Sequence, residues 1–427
     1  MRYLFAVWDG GGTVPPQLGL ARRLVERGHD VVVLADPTLE EGVLAVGARF
    51  RSWQRAPHRR SASFEDDVVK DWECRTPLQV FDRLLTRLIA TPAPDFAEDV
   101  LEAVTVERPA ACAVDSVLFG AQLAAHSTGL PTAALAVGLT VRPTPGYPPF
   151  GAGLAPARGP LGRSRDRALN AVTRRMWDRA LPDLQAVCRR YGLPPLASTW
   201  EVADRCDRVL QMTSPAFDWP HELPGNAVHV GIAMDDTTWA GQASNLPAGN
   251  GPLVLAGFST APTRGQQDLA RRVVAALDTS GLRAIVTTGP ATDPAAVPST
   301  HPDRVLVVRA APHAALLPHT AAVITHCGHG TTTKAMAAGI PTLCLPLGRD
   351  QADNARRVTE RHAGLRLRPT ASSAAIGRSL RHLLDEPSYA QGARALAQAI
   401  ARDGTAGRAV SELEALPFRT GSSAVQR

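Results

Sequence analysis

The sequence predicts an α/β protein of two doubly wound, Rossmann-like domains facing across a cleft. Three observations carry this. Short apolar runs alternate with helical runs through both halves, the pattern of parallel sheets covered by helices. In each half a glycine-rich turn lies a few residues after an apolar run: Gly10-Gly11-Gly12 after Tyr3–Val7, and Gly328-His329-Gly330 after Ala321–Ile324. Between the halves, residues 232–251 are polar and irregular, from Asp235-Asp236-Thr237-Thr238 to the stretch Asn245–Gly251, and read as a linker. A chain of 427 residues suits two domains. The divisions expected are 1–231, 232–251, 252–388, and terminal helices at 389–427 packing back toward the first domain.

Tyr3–Val7 reads as a strand. Pro16–Arg27 follows as a helix, with Leu18, Ala21, Leu24 and Val25 on one face, and Gly28 caps it before the strand Val31–Leu34. That is a βαβ unit, whose crossover is right-handed almost without exception. Ala110–Val114 is a strand ending at Asp115, Phe119–Ser127 a helix, and Pro131–Val137 a strand. Residues 138–165 are rich in Pro, Gly and Arg and read as a long loop near a ligand. Helices to about Tyr191 and strands at Val209–Met212 and Val228–Gly231 complete the half. The second half runs strand Leu253–Ala256, turn Gly257-Phe258-Ser259-Thr260, helix Gln266–Leu277, and strands Ala284–Thr287 and Val305–Val308. A short helix at Ala314–Leu317 precedes strand Ala321–Ile324 and helix Thr332–Ala338. Strand Thr342–Leu345, a helix from Asp353, strand Leu365–Leu367 and further helices end the chain.

Composition narrows the function. The chain is 44% hydrophobic and 20% charged with a net charge of +6, the profile of a soluble globular protein. No basic run or aromatic-interleaved patch points to nucleic acid. No apolar run approaches the ~20 residues of a membrane span, and no signal sequence is visible, so the cytoplasm is the expected compartment. The six cysteines are dispersed without C-x-x-C spacing, which suits neither a disulfide framework nor a zinc site.

Residues 325–332 carry the chemistry. Glycines let a ligand approach the backbone, and the helix N-terminus behind them offers free N–H groups and a partial positive charge. His326 stands at the mouth of the turn. This is a cradle for a diphosphate, the leaving group of a nucleotide sugar. No D-x-D motif occurs, so no metal is expected to bridge it and no cofactor is implied. Asp350-Gln351 follows the next strand. Its carboxylate and amide pair suits sugar hydroxyls, which both donate and accept, though a helix N-cap explains the aspartate equally well. Ser259 and Thr260 could reach the same diphosphate, or serve the turn alone. Gly10-Gly11-Gly12 lacks the G-x-G-x-x-G spacing, since Pro15 stands where the third glycine belongs, so a nicotinamide enzyme is not indicated. Asp115 ends a strand and could orient or deprotonate an acceptor, or cap a helix.

Taken together, these motifs resemble family 1 glycosyltransferases of the GT-B fold, closest to the actinobacterial branch that decorates natural products. The resemblance spans nearly the whole chain and is most specific from Ala311-Pro312-His313 to Asp350-Gln351. It implies that His326, Gly328, His329, Gly330, Thr331, Ser259 and Thr260 hold the donor diphosphate. It places Ala311 and His313 at the nucleobase and Asp350 and Gln351 at the sugar. The partners implied are a nucleotide sugar and a small hydrophobic acceptor; the oligomeric state stays open, a homodimer included.

Two positions depart from the family pattern. A glutamate that meets the ribose is replaced by Lys334, which favours a dTDP-sugar over a UDP-sugar. The first turn usually carries a histidine base, and here Thr13 stands in its place, although Asp115 matches the aspartate partner of that base. Threonine is no base near neutral pH. Either Asp9 acts as base, or the acceptor is acidic enough to need little help, or the chain is an auxiliary homologue. The expectation is an inverting, metal-independent glycosyltransferase. A nucleotide-sugar 2-epimerase or a non-catalytic partner is the alternative.

Overall fold

The computed structural model describes residues 1–61, 63–236, 240, 246–261 and 263–419. The middle of the expected linker, Thr237, Thr238 and Asn245 included, lies outside the described residues.

Two parallel sheets form the molecule. The first has β1 (Arg2–Ala6), β2 (Asp30–Ala35), β3 (Arg49–Ser52), β4 (Ala111–Asp115), β5 (Thr132–Ala136), β6 (Arg208–Gln211) and β7 (Ala227–His229), in the order β3-β2-β1-β4-β5-β6-β7. The second has β8 (Leu253–Gly257), β9 (Arg283–Thr287), β10 (Val305–Val308), β11 (Thr320–Thr325), β12 (Thr342–Cys344) and β13 (Gly364–Arg366), in the order β10-β9-β8-β11-β12-β13. Every pairing is parallel. All carboxyl ends of a sheet therefore share one edge. In each sheet the order reverses beside the first strand of the half, at β1/β4 and β8/β11, where such sheets bind ligands.

The apolar runs are continuous because both faces of each sheet are covered. Along β1, Leu4 and Ala6 pack with the helices Ala93–Glu107 and Phe119–Ser127, while Tyr3 and Phe5 point the other way onto the helix Val14–Glu26. The last helix, Arg408–Arg419, inserts Ala409, Val410, Leu413 and Leu416 into that second layer. The helix before it, Pro387–Arg402, stays with the second sheet through Ala393 and Leu396.

Several elements differ from the sequence reading: the helix expected from Asp353 begins at Gln351, a helix begins at Pro160 within the expected loop, and the helix Pro387–Arg402 packs on the second sheet rather than toward the first domain. Arg49-Phe50-Arg51-Ser52 forms an edge strand that its charges conceal, and charged residues are common on such edges. The helix expected from Thr332 begins at His329, so the glycine turn is shorter and its donors are closer to the strand.

The sheets are joined by more than the linker. Arg357, on the helix Gln351–Glu360, donates to Asp218 Oδ1 from Nε at 3.0 Å and from Nη2 at 2.6 Å. Both side chains are buried, 7% and 1% exposed. Burial works against the Asp218 charge, but Arg357 and two backbone donors outweigh it and hold the carboxyl below its usual range. Two further bonds run from Gly151 and Gly153 N–H to the Asp353 carboxylate, tying the Pro-rich loop to the same helix. Replacing one partner of a buried pair strands the other charge. Arg357→Met is expected to lower unfolding stability by about 3–5 kcal/mol, measured by denaturant titration. Adding Asp218→Asn should recover part of that loss.

Candidate active site

The carboxyl edges of the two sheets enclose a cavity of about 1200 Å³. Gly11 has φ of +75°, and a Cβ there would stand 2.7 Å from Thr260 Oγ1, so the two strand-end turns abut across the cleft.

On the second-domain wall, β11 ends at Thr325 and the helix His329–Ala337 begins behind Gly328. The connection is made by Cys327 at φ +70°, a left-handed conformation that costs a residue with a Cβ about 1–2 kcal/mol. Its N–H is held by Thr325 Oγ1 at 3.1 Å. Gly328 is required for room rather than torsion, since a Cβ there would lie 2.6 Å from His326 Nε2. The first intrahelical bond is Thr332 N–H to Gly328 O, which leaves the N–H groups of His329, Gly330 and Thr331 free at the helix start.

His326 Nδ1 lies 3.2 Å from the Gly257 carbonyl. A carbonyl only accepts, so Nδ1 carries the proton, and the neutral ring presents a lone pair at Nε2. Burial pushes the His326 pKa down. His329 is lowered by burial too, with Nδ1 on Asn354 Oδ1 at 3.2 Å. His313 falls to about 4, mainly through burial, and bonds Thr287 Oγ1 at 2.9 Å. Asp350 receives Asn354 Nδ2 at 2.8 Å, and the same amide donates to the Cys327 carbonyl at 3.0 Å, which locks Asp350 to the turn after β11. Gln351 Oε1 accepts from Leu347 and Gly348 N–H, leaving its amide N–H groups to offer a ligand. The Ser259 hydroxyl is engaged by Ala261 N–H at 3.2 Å. Every residue the resemblance assigned to the donor lines this cavity: Ser259, Thr260, Ala311, His313, His326, Gly328, His329, Gly330, Thr331, Asp350 and Gln351. Among the described residues, no three His, Cys, Asp or Glu converge on a metal-sized site.

The first-domain wall is different. Thr13 lines the cavity, and its buried Oγ1 has no hydrogen-bond partner. The partner of Asp115 is Gln17, one turn further along the helix, whose Nε2 donates to Oδ2 at 2.6 Å. Asp115 is 3% exposed, and burial raises its pKa to about 6. It does not line the cavity, and neither does Asp9. Asp9 accepts from Thr38 Oγ1 at 2.8 Å and faces Arg59. Lys334 is bonded to the linker, at Asp236 Oδ1 and the Asp235 carbonyl. Sequence reasoning missed Gln17, although its spacing of four from Thr13 puts both on one helix face. It also missed the aromatic side chains of this wall, Trp72, Phe81, Phe119, Trp177 and Trp200.

Residues 274–416 match the family described as erythromycin biosynthesis protein CIII-like, C-terminal domain. The chain is 29% identical to 4'-demethylrebeccamycin synthase of Lentzea aerocolonigenes, over 91% of this chain and 93% of that protein. It is 25% identical to O-mycaminosyltylonolide 6-deoxyallosyltransferase of Streptomyces fradiae, over 94% of each. Among solved structures, the glycosyltransferase VinC in complex with dTDP superposes with a TM-score of 0.65 at 20% identity, covering 98% of this chain and all of that one, 100%.

Phosphate binding at His326 would be pH-dependent. A free imidazole with its pKa below 6.5 is neutral at pH 7 and offers Nε2 as an acceptor. A phosphate oxygen at Nε2 needs a donor there, so the anion must bring a proton with it. Affinity for dTDP-glucose, whose phosphates do not titrate near neutrality, should therefore weaken as pH rises from 7 to 9. Calorimetry in buffers of different ionisation heat should register net proton uptake in the wild type and none in His326→Ala.

Proposed function

We propose that this chain, a GT-B glycosyltransferase of the actinobacterial natural-product type, moves a sugar from a dTDP-sugar to a small hydrophobic acceptor with inversion and without a metal. The observation that carries this reading is the convergence of two unlike walls on one cavity. One wall has a helix N-terminus, an imidazole and the Asp350-Gln351 pair. The other is a cluster in which Trp177 packs against Phe81, Phe119 and Trp200 at ring separations of 5.3, 6.1 and 5.0 Å.

The chemistry follows from those walls. The diphosphate leaves with a developing negative charge, and fixed donors that need no reorganisation stabilise such charge best. The free N–H groups of His329, Gly330 and Thr331, protonated His326, and Arg264 and Arg309 on the cavity wall supply them. Asp350 and Gln351 fix the sugar so that its anomeric carbon faces the first domain. An acceptor held on the aromatic wall attacks from the side opposite the departing diphosphate, which inverts the configuration. The closed cleft positions the two reactants and limits donor hydrolysis.

The preference for dTDP rests on Lys334. Its ammonium stands where the resemblance places a ribose-binding carboxylate, and it is committed to the linker. The dTDP found in the VinC structure supports the same donor class.

Titration of the purified protein with dTDP and with UDP, both with EDTA present, tests this reading. dTDP should bind more tightly than UDP, and EDTA should not matter. His326→Ala should weaken dTDP by about ten- to hundredfold, the worth of one charge-assisted hydrogen bond. Absence of binding to either nucleotide would overturn the transferase reading.

A further inference from the structure

Glycosyl transfer to a hydroxyl releases a proton, and the residues at the expected base position cannot take it. Thr13 is a hydroxyl, Asp115 is bonded to Gln17 outside the cavity, and Asp9 faces Arg59. The cavity must supply a carboxylate from elsewhere. Five line it among the described residues: Asp71, Asp204, Asp235, Asp236 and Asp350.

Four of these are occupied. Asp204 takes two bonds from Arg142 and is exposed. Asp235 is clamped by Arg23 through both oxygens. Asp236 gives Oδ1 to Lys334 and Oδ2 to Ala314 N–H. Asp350 accepts from Asn354 Nδ2, and the reading above gives it to the donor sugar.

Asp71 differs. It opens a short helical turn, Asp71–Glu73, beside the aromatic wall, with Trp72 next to it on the cavity surface. Its Oδ2 accepts from Arg349 Nε at 2.5 Å, across the cleft. Its Oδ1 is buried and has no hydrogen-bond partner. Asp71 lines the cavity, yet this oxygen is shielded from solvent and unpaired, whereas buried polar atoms are otherwise almost always paired, so a shift of the Arg349 contact would open an acceptor to a ligand donor. Arg349 holds φ at +51°, which a residue with a Cβ adopts at a strain cost, and such strain gathers at functional positions. Arg349 is also the neighbour of Asp350. The pair thus fixes one oxygen of Asp71 on the residue that precedes Asp350 and leaves the other unpaired in a cavity-lining residue next to Trp72, and a base held by a fixed partner is the arrangement general base catalysis uses.

We infer that Asp71 is the general base of this enzyme, oriented by Arg349 of the opposite domain. The inference rests on the transferase reading above. The acceptor O–H gives its proton to Asp71 Oδ1 while the oxygen lone pair bonds the anomeric carbon. The bond from that carbon to the diphosphate oxygen breaks, and its electron pair leaves with the diphosphate toward His326. Asp71 then returns the proton to solvent as products depart.

The test uses the intact enzyme, dTDP-glucose, and two phenols of opposite demand. 2-Chloro-4-nitrophenol is largely ionised at pH 7.5 and needs no base, whereas 4-methoxyphenol keeps its proton. Asp71→Asn should lower kcat for 4-methoxyphenol by about a hundredfold or more. It should leave 2-chloro-4-nitrophenol within a few-fold of wild type and dTDP binding unchanged. Asp71→Glu should restore part of the 4-methoxyphenol rate. Equal losses for the two phenols, or loss of dTDP binding in Asp71→Asn, would mean that Asp71 only latches the domains and would overturn the assignment. So would a wild type that glycosylates 4-methoxyphenol no faster than Asp71→Asn. A wild type that binds no dTDP would instead overturn the transferase reading.

Discussion

The cleft depends on the buried ion pair between Arg357 and Asp218. Two charges taken out of water repay their desolvation only when geometry is tight and the remaining donors are used. Here the Arg357 guanidinium gives two nitrogens to one carboxylate oxygen and lies over Trp219, 4.7 Å from the ring centre. Arg361 covers the same ring at 5.2 Å and bonds two carbonyls of the first-domain segment, at Ala216 and Asp218. Burial, then the neighbouring Arg357, brings the Arg361 pKa down to about 10, so it remains a cation. The helix that presents these arginines begins with Gln351, just after Asp350. One rigid element therefore docks the domains with its later turns and carries the Asp350-Gln351 pair at its start.

The donor corner has a second constraint, which is charge balance in the absence of ligand. His313, His326 and His329 are all driven toward neutrality by burial. A site already cationic would carry a large desolvation penalty while empty. Neutral imidazoles beside free helix N–H groups avoid that, and the anion that needs the charge is also what stabilises it. The glycines and the left-handed Cys327 serve the same end by bringing donors, rather than side-chain bulk, to the ligand.

Much of this was legible in the sequence. Both sheets, their switch points and the grouping of His326, Asp350 and Gln351 on one cavity wall follow from apolar runs, turn glycines and spacing, because those features are local. The acceptor wall was not. Gln17 takes the bond to Asp115 that the family gives to a histidine at Thr13's position, and only the folded helix shows which of the two reaches. Asp71 sits in a segment that the sequence reading assigns to no element. Its significance depends on Arg349, 278 positions away. Lys334 reads as an anomaly alone; in the structure it is the partner of Asp235 and Asp236 in the linker.

That linker contact also bears on how the cleft can work. Asp235 is clamped by Arg23 of the first domain, while its carbonyl receives Lys334 of the second. Gly19 makes the fit possible, since a Cβ there would lie 2.1 Å from the Asp235 carboxylate. The domains are thus fixed at two places, the linker clamp and the buried Arg357–Asp218 pair, and breaking a buried pair costs several kcal/mol. The Arg349–Asp71 bond is of another kind. Arg349 is 34% exposed and Asp71 10%, so solvent screens this pair more than the Arg357–Asp218 pair, and partly exposed ion pairs contribute less than buried ones. An incoming donor and acceptor can therefore rearrange that contact while the scaffold around it holds. Two strong contacts set where the walls stand, and the weak one lies where protons must move.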